Sequence, residues 1–230
     1  ATSWPKAPGV ARAMADAIEQ PVGNVGRSAH QPALAASRIL YDCRVALQRV
    51  MAPTSIEKTI FTRNATEALN IALFGSVCDG DRILTTPVEH NAVARPLHVL
   101  ASRGIAHDVC RCDAYGAVDP DAFMKELATR RYALAVFTAA NNITGALNPI
   151  GEMVRACVAY GVPFVIDGAQ AVGEIAFPPF VPEASGALCF SLHKGLLGPA
   201  GVGVMALHGS FAPKVLLYGG TGSRSDSVEQ

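Results

Sequence analysis

Apolar residues recur at helical spacing over 8–19 and again over 32–51, after which the pattern changes. Short apolar runs then alternate with amphipathic stretches. The runs 58–62, 81–86, 105–111, 132–138, 162–167, 187–190 and 202–207 have the length and composition of strands. Between them, 67–74, 91–103, 119–129 and 149–160 read as helices. Pro8 and Pro149 stand at helix starts, where the missing N–H costs nothing, and Asp119 and Asp121 put negative charge in a first turn. Within 32–51, Leu34, Ile39, Leu40 and Leu47 are the expected core contacts. Strands alternating with helices predict an α/β fold, a three-layer helix/sheet/helix sandwich around a mostly parallel mixed sheet.

Half of the 230 residues are hydrophobic, enough to bury the core of one large domain. Lys and Arg number 19 and so do Asp and Glu, so no net field draws the chain to nucleic acid or to an anionic membrane. No apolar run reaches the length of a membrane span, and no basic-then-apolar signal opens the sequence, so a cytoplasmic location is the default expectation. The six cysteines, Cys43, Cys78, Cys110, Cys112, Cys157 and Cys189, are irregularly spaced and form no Cys-x-x-Cys pair. Cys110 and Cys112 flank one arginine in an expected strand, where two thiols on one face are either a metal pair or half-buried side chains. Reduced thiols and no metal site are the expectation.

Ligands of α/β sheets bind beyond the carboxyl ends of the strands. The run 187–190 leads into Ser191-Leu192-His193-Lys194 and a Gly/Pro-rich turn. Lys194 is there either a solvated loop lysine or a desolvated amine, whose lowered pKa frees its lone pair for Schiff-base chemistry. The run 162–167 stops at Asp167, which is either a helix cap or an acid on the same sheet edge as Lys194. A lysine to hold an aldehyde and an acid to keep a pyridine nitrogen protonated are what pyridoxal phosphate requires. Arg63-Asn64-Ala65-Thr66 turns into the helix 67–74, whose free N–H groups and dipole suit a phosphate. Thr66 adds a hydroxyl and Ala65 permits close approach; the alternative is that Thr66 caps its own helix. His90 stands at the next strand-to-helix junction. The glycines of 198–203 lack dinucleotide spacing and open a strand, which disfavours a nicotinamide site.

Five blocks, Phe61-Thr-Arg-Asn-Ala-Thr-Glu-Ala-Leu-Asn70, Val88-Glu-His-Asn91, Asn141-Asn-Ile-Thr-Gly145, Asp167-Gly-Ala-Gln170 and Ser191-Leu-His-Lys194, stand in the order found in class V, fold-type I pyridoxal phosphate enzymes. The chain resembles most their cysteine desulfurase and selenocysteine lyase branch. The resemblance implies the cofactor-binding large domain over 21–230, a segment 1–20 belonging partly to a small domain, and a C-terminal small domain missing from this sequence. It implies that Lys194 holds pyridoxal 5'-phosphate, that His90 stacks on the ring and assists proton transfer, and that Asp167 pairs with the ring nitrogen. Ala65, Thr66, Ser191 and His193 would receive the phosphate, and Gln170 would donate to the phenolic oxygen. Asn142 would contact the ring oxygen and the substrate carboxylate, with Asn141 as its competitor. Thr221, in the glycine-rich loop 219–223, would reach a neighbouring subunit's phosphate, so a homodimer is implied.

The implied reaction takes sulfur from L-cysteine, leaving alanine and an enzyme persulfide, with a sulfur-acceptor protein as a further partner. Transamination, selenocysteine cleavage and epimerisation use the same cofactor residues and stay open, as does a non-catalytic fragment. The family's sulfur-accepting cysteine lies in a loop well beyond the lysine block, and none of the six cysteines fills that place.

Overall fold

The computed structural model describes residues 4–20, 23–25, 30–51 and 55–217. Two helices, α1 (Val10–Glu19) and α2 (Gln31–Leu47), precede the alternating part of the chain. There follow β1 (Thr59–Thr62), α3 (Ala65–Phe74), β2 (Arg82–Thr85), α4 (Asn91–Ser102), β3 (Ala106–Val109), α5 (Pro120–Thr129) and β4 (Leu134–Thr138). The series ends with α6 (Ile150–Ala159), β5 (Phe164–Asp167), β6 (Gly186–Ser191) and β7 (Gly203–His208). Polar side chains start α2 to α5: Asn64, for example, caps α3 by accepting from Glu67 N–H at 2.9 Å, and Asp119 caps α5 ahead of Pro120.

The strands form one sheet in the order β1-β7-β6-β5-β4-β2-β3. β2 to β6 run parallel to one another, and β7 is antiparallel to both β6 and β1. β1 therefore points the same way as the parallel group, and its carboxyl end lies on the edge where those strands also end. Each inner strand is buried on both faces, as parallel strands covered by helices must be. One face packs on α5 and α6 with the end of α2, the other on α3 and α4, which gives the expected three layers. Across the first face Phe123, Phe137, Phe164 and Phe180 form a chain of ring contacts with centroids 5.6, 6.4 and 5.5 Å apart. Edge contacts of this kind contribute about 0.5–1.5 kcal/mol each beyond the area they bury.

The expected elements are all present, with shifted ends. α3 begins two residues early because Asn64, not Thr66, is the cap. β3 ends at Val109, so Cys110 and Cys112 lie beyond it rather than along one strand face. In α2 the expected core contacts divide: Leu47 is buried, Leu40 half-buried, and Leu34 and Ile39 are 56% and 57% exposed. Ala33 and Ala36 face inward in their place. An apolar stripe does not by itself say which side of a helix meets the body, and close approach selects the small residues. No helix among the described residues is long and apolar enough to cross a membrane.

Candidate active site

Side chains alternate across the sheet. Phe137, Phe164, Ile166, Leu188 and Phe190 enter the α5/α6 core, while Val136, Val165, Ala187 and Cys189 enter the α3/α4 core. Thr138, Asp167 and Ser191 continue the second set at the carboxyl ends of β4, β5 and β6. Their side chains therefore emerge on the side where α3 and α4 begin. The register joins these ends: Thr138 pairs with Asp167, and Ser191 pairs with Gly203, which pairs with Thr62 just before α3.

At the start of α3 the buried Ser191 hydroxyl accepts from Ala65 N–H at 2.8 Å. A hydroxyl that accepts one bond still has its own hydrogen to donate. Thr66 is exposed in the first turn, and its hydroxyl and N–H meet no described residue. Thr66 and His90 line one groove of about 350 Å³ between α3 and α4, together with Asn70 and Arg95. With Ala65 and Glu67 N–H taken by Ser191 and Asn64, this N-terminus offers an anion the Thr66 N–H, a favourable dipole and two hydroxyls. β6 ends at Ser191, so His193 is placed by the following turn and not by strand alternation. Its Nδ1 is enclosed without a partner, and burial, with the charges of Lys194 and Lys6, holds its pKa below the usual value.

Asp167 is 3% exposed and ends β5. Burial raises its pKa, while the Ala169 N–H at 2.9 Å and the charges of Lys194 and His90 pull it back down. The carboxylate thus shapes a turn and caps no helix, and Lys194 and His90 lie near it. His90 caps α4, with its Nδ1 accepting from Ala92 N–H at 3.1 Å. That bond leaves Nε2 as the protonated nitrogen of the neutral ring. Lys194 is half-buried on a turn packed against its neighbour: a Cβ on Gly195 would lie 2.5 Å from the Val172 carbonyl oxygen. From the amino-terminal side, Ala7 N–H donates to Leu197 O at 2.9 Å and braces the same turn.

Asn141 is committed to structure. Its amide donates to Val88 O at 3.0 Å, and its oxygen accepts from Ile143 and Thr144 N–H at 2.8 and 2.9 Å. Asn142 is exposed and Gln170 half-buried, and neither side chain bonds to a described residue. Thr221 lies outside the described residues. Glu89 was not singled out by sequence reasoning. Its Oε1 accepts from Thr86 Oγ1 at 2.5 Å and from Thr138 N–H at 2.9 Å, and its Oε2 is enclosed without a partner. The available signal was its position, a carboxylate between a buried strand end and a capping histidine.

A mixed seven-stranded sheet with a lysine, a buried carboxylate and a helix N-terminus gathered on one edge has the architecture of fold-type I pyridoxal phosphate enzymes. The model of the family "Aminotransferase class-V" matches residues 1–230, and the chain belongs to that family. Among curated relatives, it is 30% identical to a probable cysteine desulfurase of Methanothermobacter thermautotrophicus, over 92% of this chain and 53% of that one. It is 31% identical to a cysteine desulfurase of Bradyrhizobium diazoefficiens, over 94% of this chain and 55% of that one. The apo structure of a cysteine desulfurase from Thermococcus onnurineus superposes with a TM-score of 0.77 at 28% identity, covering 86% of this chain and 50% of that one. The chain thus spans about half the length of the curated relatives it matches.

Proposed function

We propose that the protein is a pyridoxal phosphate enzyme of the cysteine desulfurase type, acting on L-cysteine as a homodimer in the cytoplasm and handing sulfur to an acceptor protein. The observation that carries this reading is the grouping on one sheet edge of Lys194 and His90 with buried Asp167, beside an α3 N-terminus shared with Ser191. The residues fit the cofactor. Thr66, Ser191 and the start of α3 supply donors for a phosphate, and the partnerless His193 Nδ1 adds a polar atom at the same turn. Asp167 supplies the negative charge a protonated ring nitrogen requires, and the flat imidazole of His90 suits stacking. When bound, the cofactor supplies an electron sink for charge developing at the substrate α-carbon.

The residues of the chain do the rest. Lys194 would hold the cofactor's aldehyde, and its free amine would hold or return a proton through Nζ; His90 would do the same through Nε2. Asn142, whose amide is uncommitted, is the residue we assign to the substrate carboxylate, because Asn141 is consumed by its turn. Gln170 is assigned to the phenolic oxygen and Thr221 to a neighbouring subunit's phosphate. Borohydride reduction of the cofactor-loaded protein followed by peptide mapping tests the centre of this reading. Label is expected on Lys194 alone, and Lys194→Ala should lose it while keeping its fold. Label on another lysine defeats the assignment.

A further inference from the structure

We propose that Glu89 is a positioning residue held as a neutral acid: it takes the one proton of a Glu89–Asp167 carboxyl pair and so leaves the negative charge on Asp167. The inference about what that charge serves rests on the proposed function; the placement of the proton does not.

The two carboxyls act on each other through space near the end of β4, with no hydrogen bond between them. Thr138 N–H donates to Glu89 Oε1 at 2.9 Å, and Thr138 stands opposite Asp167 in the sheet register. Glu89 has both its donors, Thr138 N–H and Thr86 Oγ1, on one oxygen. An ionised carboxylate there would leave a charged Oε2 enclosed and unpaired, whereas a neutral acid keeps only an O–H in that place. The surroundings of the two acids are unequal. Asp167 has the Ala169 N–H, Lys194 and His90 as partners that favour its anion, with Cys189 the other titratable group against it. Glu89 is faced by Asp167 and by the Cys110 thiol, and among the described residues no cation offsets its charge. Burial and the Asp167 charge push Glu89 up to about 8 against the hydroxyl and N–H that stabilise its anion. Burial raises Asp167 too, but its partners oppose the rise. Of two unequal acids that repel each other's charge, the one with fewer stabilising partners keeps its proton.

The same side chain ties the 86–90 turn to β4, and Asn141 ties it again through Val88 O. His90 is therefore presented by a turn pinned at two points. A charge-free Glu89 pins it without adding a second negative charge beside Asp167.

The test uses the protein freed of cofactor, so that it stands whether or not the functional reading does. Glu89→Gln carries the neutral form at every pH. In the wild type the unfolded chain releases the Glu89 proton near its ordinary pKa of 4.5, while the folded chain keeps it up to about 8. The folded pKa is raised, so this acid costs stability progressively as pH rises from about 4.5 to about 8. The melting temperature of Glu89→Gln should gain on the wild type across that window and level off above it. A gap that stays constant or moves the other way overturns the proposal, because Glu89 would then be an anion held by its hydrogen bonds. If the variant does not fold, carbon-13 NMR of wild type labelled at glutamate carboxyls reads the same quantity. One glutamate should remain protonated at pH 7 and titrate near 8. Asp167→Asn should move that titration down; an unmoved titration overturns the pairing. Should Lys194 fail to take label while Glu89 titrates as expected, the cofactor reading fails and the proton's place on Glu89 stands.

Discussion

Gly173 is where the lysine turn is most exposed to a small change. Its φ is +91°, and a Cβ built on it would stand 2.6 Å from the Gly195 carbonyl carbon, 2.8 Å from its oxygen and 2.8 Å from Leu196 N. All three contacts are backbone atoms, directly after Lys194, and cannot rotate away. Placing Ala in the left-handed region costs about 1–2 kcal/mol. Forcing a methyl group against packed backbone costs a further 1–3 kcal/mol or so. Gly173→Ala should then lose about 2–5 kcal/mol, which for a domain of this size is a fall in Tm of roughly 4–20 °C. Gly104 is the control: its φ is +85°, and nothing lies within 4 Å of the added Cβ. Gly104→Ala should show only the backbone cost, roughly 2–8 °C in Tm. The two variants also differ in function. Gly173→Ala must shift the Lys194 turn by several tenths of an ångström, so the fraction of Lys194 labelled by borohydride should drop, and Gly104→Ala should label as the wild type does. A Gly173→Ala protein that melts no lower than Gly104→Ala and labels normally would refute the claim that this contact holds the lysine in place.

In a full-length enzyme carrying this site, Asp167→Asn should keep the cofactor but slow turnover at least about 100-fold, since losing a buried charge partner costs about 3 kcal/mol or more; cofactor absorbance with kcat checks it, and near-normal turnover ends the assigned role. His208 sits edge-on to Phe180 at 4.6 Å, and burial drives its pKa down from 6.5 to about 4. A histidine with a lowered folded pKa contributes no penalty above 6.5 and costs stability as pH falls from there toward 4, by up to about 3 kcal/mol. His208→Leu should flatten that limb, as melts at pH 7 and 4.5 will show; an unchanged acid limb would count against buried neutral His208. Phe137→Ala, which removes a fully buried ring between Phe123 and Phe164, should cost about 3–5 kcal/mol in denaturant unfolding.

What could be read from the sequence follows the physics of each element. Strands buried on both faces write themselves as continuous apolar runs, so β4, β5, β6 and β7 were visible, as was the edge on which Asp167 and Ser191 end. Helix starts were legible where a polar cap precedes an apolar stretch, as at Asp119, and were misplaced where two candidates compete, as with Asn64 and Thr66. Leu34 and Ile39 misled because helical spacing reports a stripe and not the surface it meets. Glu89 stayed hidden for another reason. Its environment is assembled from Thr86 and Thr138, 49 residues away along the chain from the second, and no local pattern encodes that contact. The difference between Asn141 and Asn142 was not legible in the sequence: the first has both ends of its amide bonded in the fold, and the second is exposed.

Taking sulfur from cysteine requires a thiol that reaches the substrate as a thiolate, and the six thiols can be judged one by one. Cys189 has the parity of Ser191 but lies one layer below it, fully buried, with its pKa pushed well above the usual value by burial and by the Asp167 charge. Cys157 and Cys110 are buried and pushed up to about 12. Cys43 is raised by burial in α2, and Cys112 sits in a bridge with Val118 beyond β3. Cys78 is exposed and accepts from Lys214 Nζ at 3.2 Å, but it follows the far end of α3, a ten-residue helix about 15 Å long whose other end is at the site. Four of the six are thus held protonated by burial, Cys78 lies at the far end of α3, and Cys112 follows β3, three strands along the sheet from β5. The chain supplied with cysteine, cofactor and reductant should therefore release sulfide no faster than the cofactor alone, and adding a thiol carried on a separate segment should not be blocked by any of the six. Sulfide release at the rate of a desulfurase would mean that one of them does reach the substrate, and single Cys→Ser replacements would then identify it.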